Sequence, residues 1–591
     1  MSLALALALA LALGGGVAGA AYASALPAAE QPAPASIAGE YRGAIANQHL
    51  IVTLAQADDG TLSGKLSVPD QGNITLPFDS VTFTGGVVHL ELKAAGASYQ
   101  GTLSDSGDSI AGVWSQGGHD IPLTLRRSGT AAAFTLAPRT IGSVAFQPCL
   151  SNDGNTEGLC GTYEVFENRA KKTGRKLALK IMVLPALSGH AAPDAFLPLA
   201  GGPGESAIGA FPLAAYTGLI RKDRDVLLID QRGTGASAPL SCDLRDPRNV
   251  QQAIGGDIPA ERVTACRDQL SQNADLTQYT TSIFADDLDE VRAALGYAQV
   301  DVFGGSYGSR AALDYLRRHG DHVRTLTLES IVAPGYRIPL SFSPAIQGSI
   351  DRVIARCAAD AGCHKAYPNL GAEFQTVLDR LDRQPVTMTL PTATGTQTLT
   401  LGKGLFVSGL RPILYFPETI RAFPIIVHNA YNGDFKPYLS VVSRTRAGID
   451  GAVNRNLFFS VVCAEDMPAT TPEMVRRTAA GTYIGDFPVR QYRQVCSAWP
   501  HGEASADFWT PIRSNVPALL ISGTLDPATP PEMAADLARG LPNSQVVTIA
   551  DGSHVTGSPC FDRMVAQFVA TAAKVDAACV ASIRLPPFLV P

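Results

Sequence analysis

The stretch Gly304-Gly305-Ser306-Tyr307-Gly308 constrains the fold of this chain more than any other. It lies between an apolar run, residues 299–303, and a helix-forming run, residues 310–319, so the pattern predicts a sharp turn from a buried strand into a helix. Such a turn pushes the serine out above the end of the sheet in a strained backbone conformation. Gly304 and Gly308 are required there, because a side chain at either would collide with the neighbouring strand or helix. The turn therefore presents a single hydroxyl at the mouth of a sheet.

A serine hydroxyl is a poor nucleophile at neutral pH and needs a base within hydrogen-bond reach, which in turn needs an orienting group. His554 is the candidate base: it ends Asp551-Gly552-Ser553-His554, just past the apolar run 546–549. Asp526 is the candidate orienting group, since it leaves the buried run 519–525 directly into a turn at Pro527. The chain order Ser306, Asp526, His554 is that of the α/β-hydrolase fold, and not of chymotrypsin or subtilisin. The expected chemistry is acyl transfer through Ser306.

Upstream, Ala200-Gly201-Gly202-Pro203-Gly204-Glu205 follows an early strand, where this fold places its first oxyanion loop. The expected donors to a tetrahedral oxyanion are the backbone N–H groups of Gly202 and Tyr307; Pro203 has none to give. A phosphate-binding role for these glycines fails, because this loop lacks the lysine and spacing of a P-loop and does not form G-x-G-x-x-G.

At 591 residues the chain exceeds one core, and roughly 150 residues per domain predicts two to four. Its 47 basic and 53 acidic side chains, without long charge runs, offer no footprint for nucleic acid or an anionic membrane. Residues 1–25 read as a signal peptide, with an apolar Leu/Ala core too short for a comfortable membrane span and a closing Ala23-Ser24-Ala25. No membrane anchor is expected after cleavage, and the expected location is secreted or periplasmic. Ten cysteines, an even number, fit disulfides in an oxidising compartment. They permit about 945 pairings, of which pairing of sequential neighbours, closing short loops, is the one adopted. Metal ligation is not expected, since no C-x-x-C has a matching partner pair, and no cofactor is implied.

Residues 36–130 alternate short apolar runs with glycine-containing turns, the pattern of a small antiparallel all-β, barrel-like domain. Strand and helix then alternate, with strands predicted at 177–184, 196–199, 226–230, 300–303, 325–328, 518–522 and 546–549. Between them the rhythm breaks into helix-like stretches around 350–361, 374–381 and 472–480. The predicted architecture is an α/β-hydrolase core in two parts, 140–335 and 508–591, with a mostly helical lid at 336–507 and the β domain in front.

As a set, the glycine loop, Asp230-Gln231-Arg232-Gly233-Thr234-Gly235, the serine turn, Asp526-Pro527-Ala528-Thr529-Pro530 and the segment around His554 resemble the prolyl aminopeptidase and tripeptidyl aminopeptidase family of serine peptidases. The resemblance runs from about residue 177 to 579 and leaves the N-terminal β region outside. It implies Ser306 as nucleophile, Asp526 and His554 as its partners, and Gly202 with Tyr307 as oxyanion donors. Where that family commonly has histidine before the glycines this chain has Ala200, and it continues with Glu205, so leaving group and specificity stay open. Arg232 is expected to be a structural ion-pair partner.

An enzyme of this kind must bind a free α-ammonium, which calls for carboxylates in the pocket. Cys463-Ala464-Glu465-Asp466 resembles the family's Cys-x-acidic segment, making Glu465 the first candidate and Asp466 the second, with Glu205 and Glu329 further possibilities. The expected substrate is the N-terminal end of a peptide. A carboxylic ester hydrolase with the same triad is the alternative, and an inactive hydrolase-fold binding protein a second one.

Overall fold

The structure, a computed structural model, describes residues 36–591 except 46–47, 58, 69–73, 117–118, 129–134, 152–155, 212–214, 393–394 and 555–556. The expected signal peptide lies outside the described residues.

Among the described residues, nine antiparallel strands come first: β1 (Gly39–Ile45), β2 (Gln48–Gln56), β3 (Leu62–Val68), β4 (Ile74–Pro77), β5 (Ser80–Thr84), β6 (Val87–Leu92), β7 (Ala97–Leu103), β8 (Ser109–Gln116) and β9 (His119–Arg127). They pair in the order β4-β3-β2-β1-β9-β8-β7-β6-β5. Strand side chains alternate between faces, and one face collects Tyr41, Val52, Leu90, Tyr99, Ile110 and Leu125 into a core of its own. The Tyr99 hydroxyl lies 2.8 Å from the Ile110 carbonyl and 3.1 Å from that of Leu123, so the polar end of a fully buried ring is satisfied.

A second sheet has ten strands. The first eight are β10 (Arg139–Ile141), β11 (Val144–Leu150), β12 (Glu157–Phe166), β13 (Lys176–Leu184), β14 (Ala195–Leu199), β15 (Val226–Ile229), β16 (Val300–Gly305) and β17 (Val323–Glu329). A separate hairpin, β18 (Val386–Thr392) and β19 (Gly395–Leu401), comes before the last two, β20 (Ala518–Gly523) and β21 (Ser544–Ile549). The order is β10-β11-β12-β13-β15-β14-β16-β17-β20-β21, antiparallel as far as β15 and parallel from there. All seven strands predicted from the sequence are present. β10, β11 and β12, which extend the sheet antiparallel, and the hairpin β18–β19 were not anticipated.

The central strands are buried on both faces, which is why they read as unbroken apolar runs. Met182, Leu184, Phe196, Val226 and Leu228 pack on one side, and Ile181, Val183, Leu197, Leu227 and Ile229 on the other. The second of these cores continues into the helices between Phe342 and Cys496, so the inserted segment shares its apolar interior with the sheet.

The helices that matter for the site are α1 (Thr281–Leu295), α2 (Tyr307–His319), α3 (Phe342–Ala359), α4 (Lys403–Ile413), α5 (Lys436–Ala452) and α6 (Arg455–Glu465). Thr280 caps α1 by accepting the Ile283 N–H, and Gly296 ends it in the left-handed conformation.

The cysteines pair as sequential neighbours: Cys149–Cys160, Cys242–Cys266, Cys357–Cys363, Cys463–Cys496 and Cys560–Cys579. Cys149–Cys160 staples β11 to β12, and Cys463–Cys496 ties the end of α6 to the helix Phe487–Cys496.

Candidate active site

β16 ends in Gly305 and α2 begins at Tyr307, so Ser306 alone makes the turn, with φ +53° and ψ −124°. A non-glycine residue in this region costs about 1–3 kcal/mol, and the surroundings hold it there. A Cβ on Gly304 would lie 2.4 Å from the Gly308 carbonyl oxygen, and one on Gly308 2.0 Å from that of Leu199. The two glycines let β14, β16 and α2 meet closely. The Ser306 N–H donates to the Glu329 carbonyl on β17, 3.0 Å away, which fixes the turn to the next strand.

Above this turn the loops after β20 and β21 bring Asp526 and His554 together. His554 Nε2 is 3.0 Å from Ser306 Oγ, and its Nδ1 is 2.9 Å and 3.0 Å from the two Asp526 oxygens. Asp526 Oδ1 also accepts the N–H groups of Ala528 and Thr529, each at 2.8 Å, and Oδ2 accepts the Thr529 hydroxyl at 2.6 Å. Burial by itself raises the Asp526 carboxyl, yet His554 and the Thr529 donors outweigh it and hold the group below the usual carboxylate range. An ionised Asp526 selects the tautomer with the proton on Nδ1. That leaves Nε2 as the acceptor facing Ser306.

The glycine loop runs beside the serine. Gly202 lines the same cavity as Ser306, and Tyr307 opens α2, where the first N–H groups have no carbonyl partner within the helix. Gly202 and Gly204 have φ of +103° and +114°, and a Cβ on Gly204 would fall 2.5 Å from the Asn454 carbonyl oxygen. Asp230 anchors the loop's far end, its Oδ1 accepting the Ser206 hydroxyl at 2.6 Å and the Ile208 N–H at 3.1 Å.

Two cavities flank Ser306 and share Gly201 and Glu205. One, of about 540 Å³, lies under the inserted helices and includes His554, Tyr415 and Arg446 in its wall. The other, of about 450 Å³, is lined by Phe211, Tyr216, Phe303 and the carboxylates Glu205, Glu329 and Asp562. Glu205 Oε2 accepts the Gly201 N–H at 3.1 Å, and burial raises its carboxyl above the ordinary range.

Glu465 and Asp466, the first two amine-binding candidates, line neither cavity. Glu465 Oε1 accepts the Thr281 N–H at 2.6 Å and its Oε2 the Thr281 hydroxyl at 2.9 Å, so it sits at the start of α1. Its carboxyl is pushed up to about 8 by burial, against the opposing pull of Arg310. Asp466 accepts from Arg310 Nη1 at 2.8 Å and from the Ile338 N–H at 2.7 Å. Every residue of α6 from Asn456 to Glu465 is buried, so acids at its end meet the neighbouring helices instead of open space. They clamp the inserted segment onto α1 and α2. The Tyr307 hydroxyl belongs to the same buried network, 2.9 Å from Thr281 Oγ1 and 3.2 Å from Gln231 Nε2.

Arg232 is fully buried and forms a two-pronged pair with Asp287 of α1, at 2.6 and 2.8 Å, away from the serine. Tyr415 carries no sequence signal, yet its ring stacks on His554 with centroids 4.5 Å apart. Ser553 donates to the Tyr415 carbonyl at 2.8 Å, and Arg411 to its hydroxyl at 2.7 Å. Ser349 of α3 donates to the Leu525 carbonyl at 2.6 Å, so the inserted helices buttress both the acid and the base loops.

Residues 196–557 match the sequence profile of the α/β hydrolase fold family. The chain is 26% identical over 479 residues to serine protease Hip1 of Mycobacterium tuberculosis, covering 73% of this chain and 89% of the relative. It is 25% identical over 497 residues to a tripeptidyl aminopeptidase of Streptomyces lividans, covering 77% and 89%. Carboxylesterase B of Mycobacterium tuberculosis is 25% identical over 447 residues, covering 69% of this chain and 83% of that protein. With the profile spanning more than half of its length, the chain belongs to the α/β hydrolase fold family.

Proposed function

We propose that the chain is an exported serine peptidase that attacks an acyl carbonyl with Ser306 and acts on the N-terminal end of peptides. The observation that carries this reading is the unbroken line Ser306 Oγ to His554 Nε2 and His554 Nδ1 to Asp526, at 2.9–3.0 Å, opening into two cavities. Five disulfides support an oxidising compartment.

In this mechanism His554 Nε2 takes the proton as Ser306 Oγ bonds to the carbonyl carbon. The oxyanion that forms is met by the N–H groups of Tyr307 and Gly202, and Asp526 stabilises the imidazolium. His554 then returns the proton to the departing amine, leaving an acyl-serine. Water, deprotonated by the same nitrogen, releases the acyl group and restores the serine. The α-ammonium of the substrate is taken by Glu205 with Glu329, two of the three carboxylates in a cavity wall beside Ser306.

The test is turnover of an amino-acyl or tripeptidyl chromogenic amide beside its N-acetylated twin, with fluorophosphonate labelling of wild type and Ser306→Ala. Cleavage of the free-amine compound alone, with labelling lost in the variant, is expected. A carboxylic ester hydrolase is the second reading, favoured by the similarity to carboxylesterase B and by the burial of Glu465 and Asp466 away from both cavities. Ester turnover without amide turnover selects it. Absence of labelling in the wild-type protein selects an inactive scaffold.

A further inference from the structure

The 540 Å³ cavity carries an excess of positive charge. Arg411, Arg446 and Arg455 line it, and with Arg245 they also line a small adjoining cavity of about 40 Å³. Asp450 is the carboxylate whose charge reaches Arg245, Arg446 and Arg455, and its hydrogen bonds go to Arg455. Arg245 donates to the Gln252 and Gly256 carbonyls. Arg411 lies over the Phe342 ring at 4.2 Å and donates to Tyr415.

Arg446 is different. It is 9% exposed and, among the described residues, its side chain makes no hydrogen bond or ion pair, its Nε buried without a partner. Burial lowers its pKa, and the nearby Arg455 and Arg411 push the same way against Asp450. The guanidinium rests on Gly255, where a Cβ would come within 2.4 Å of Cζ, so a glycine with φ +97° makes room for it. An unpaired buried cation is unfavourable, because it has lost water without gaining a partner. That cost is offset when an anion arrives.

We propose that this cavity is an anion-recognising subsite in which Arg446, flanked by Arg411 and Arg455, binds a carboxylate of the substrate. The inference rests on the reading of Ser306 as the nucleophile at the shared cavity. A planar guanidinium with free N–H groups matches a carboxylate in a two-pronged geometry. A peptide supplies that group from an acidic side chain or from the C-terminus of a short chain. Glu329 and Asp562 line only one cavity beside Ser306 and Arg411, Arg446 and Arg455 only the other, with Glu205 shared between them, so a zwitterionic substrate has a preferred orientation across the serine.

Calorimetric titration of the full-length Ser306→Ala protein tests this without turnover. Three probes are used: alanyl-alanyl-glutaminyl-alaninamide, its glutamyl twin, and the glutaminyl peptide with a free C-terminal carboxylate. At least one anionic probe is expected to bind tenfold or more tightly than the neutral one, and which of them does so identifies the source of the carboxylate. Adding Arg446→Met should abolish that advantage, and Arg446→Lys should keep part of it. Losing an unpaired buried charge, the Met variant is expected to melt no lower than its parent; if it does not fold, Arg411→Met is read in its place. Equal affinities for the three probes, including no binding of any, overturn the proposal, as does an advantage that survives Arg446→Met. Charge-dependent binding without fluorophosphonate labelling of the wild type instead overturns the nucleophile reading and leaves the subsite standing.

Discussion

The ring of Tyr415 lies on the imidazole of His554, with 4.5 Å between centroids and 27° between planes. Tyr415 follows α4 of the inserted segment, whereas His554 sits on the loop after the last strand. The contact therefore sets the position of the proposed base from the side of the inserted helices. Replacing Tyr415 by Ala frees the imidazole to tilt, and a misplacement of about 1 Å costs roughly a hundredfold in rate. The expected result is a tenfold to hundredfold fall in kcat and in the fluorophosphonate labelling rate, on the order of the cited effect. Tyr415→Phe keeps the ring, loses only the bond from Arg411, and should stay within about threefold. Equal rates for Tyr415→Ala and wild type would show that Asp526 alone orients the base.

Asp526 is held ionised by His554 and the Thr529 donors in spite of its burial. In Asp526→Asn the side-chain oxygen still accepts the Ala528 and Thr529 N–H groups, and the amide nitrogen then faces Nδ1. This selects the tautomer with the proton on Nε2, which cannot accept from Ser306. A loss of roughly 10⁴ in kcat is expected with the melting temperature little changed. A loss below tenfold would mean that proton transfer does not pass through this pair.

The positions of the core strands were legible because β14, β15 and β20 are buried on both faces and read as short apolar runs ending in glycine or aspartate turns. The elbow was legible because Gly304 and Gly308 are demanded by close backbone approach. Strands β10 to β12 were not, since β10 is largely exposed and β12 alternates only in part. The hairpin β18–β19 is rich in threonine and half exposed, so it has no apolar run to read. Cys463-Ala464-Glu465-Asp466 announced two acids but not where they point, which depends on α6 being enclosed by other helices. Arg245, Arg411, Arg446 and Arg455 come from four places in the sequence, and only the packing of the inserted helices gathers them.

Burial raises the Glu465 carboxyl from an ordinary 4.5 to about 8, so the folded protein keeps a proton that the unfolded chain releases. Between those values the folded state binds more protons than the unfolded one, and stability falls as pH rises. Glu465→Gln keeps the acceptor for Thr281 and cannot ionise. The difference in melting temperature, variant minus wild type, should therefore grow from pH 5 to pH 8 and level off above, reaching several degrees for an effect of about a few kcal/mol. A difference that is flat across this range would place an ionised carboxylate at the start of α1 at every pH.

Glu205 stands beside Ser306 with Oε2 bound to the Gly201 N–H, and its carboxyl is raised by burial. Taking the substrate ammonium requires the ionised form. At low pH Glu205 is neutral and an amine gains little from it, so KM for a free-amine amide should fall as pH climbs past the ordinary carboxylate range, until the substrate amine itself deprotonates. Glu205→Gln retains an acceptor for Gly201 and loses the charge. Its kcat/KM for the free-amine amide should drop by about tenfold to a hundredfold, the scale of a buried charged hydrogen bond, and the pH dependence of KM should flatten. The N-acetylated twin and the reference ester carry no ammonium, so the ratio of free-amine to ester turnover is the quantity to follow. A ratio unchanged in Glu205→Gln assigns amine recognition to Glu329 or Asp562 in the same cavity wall, and Glu329→Gln is then the variant that must move it.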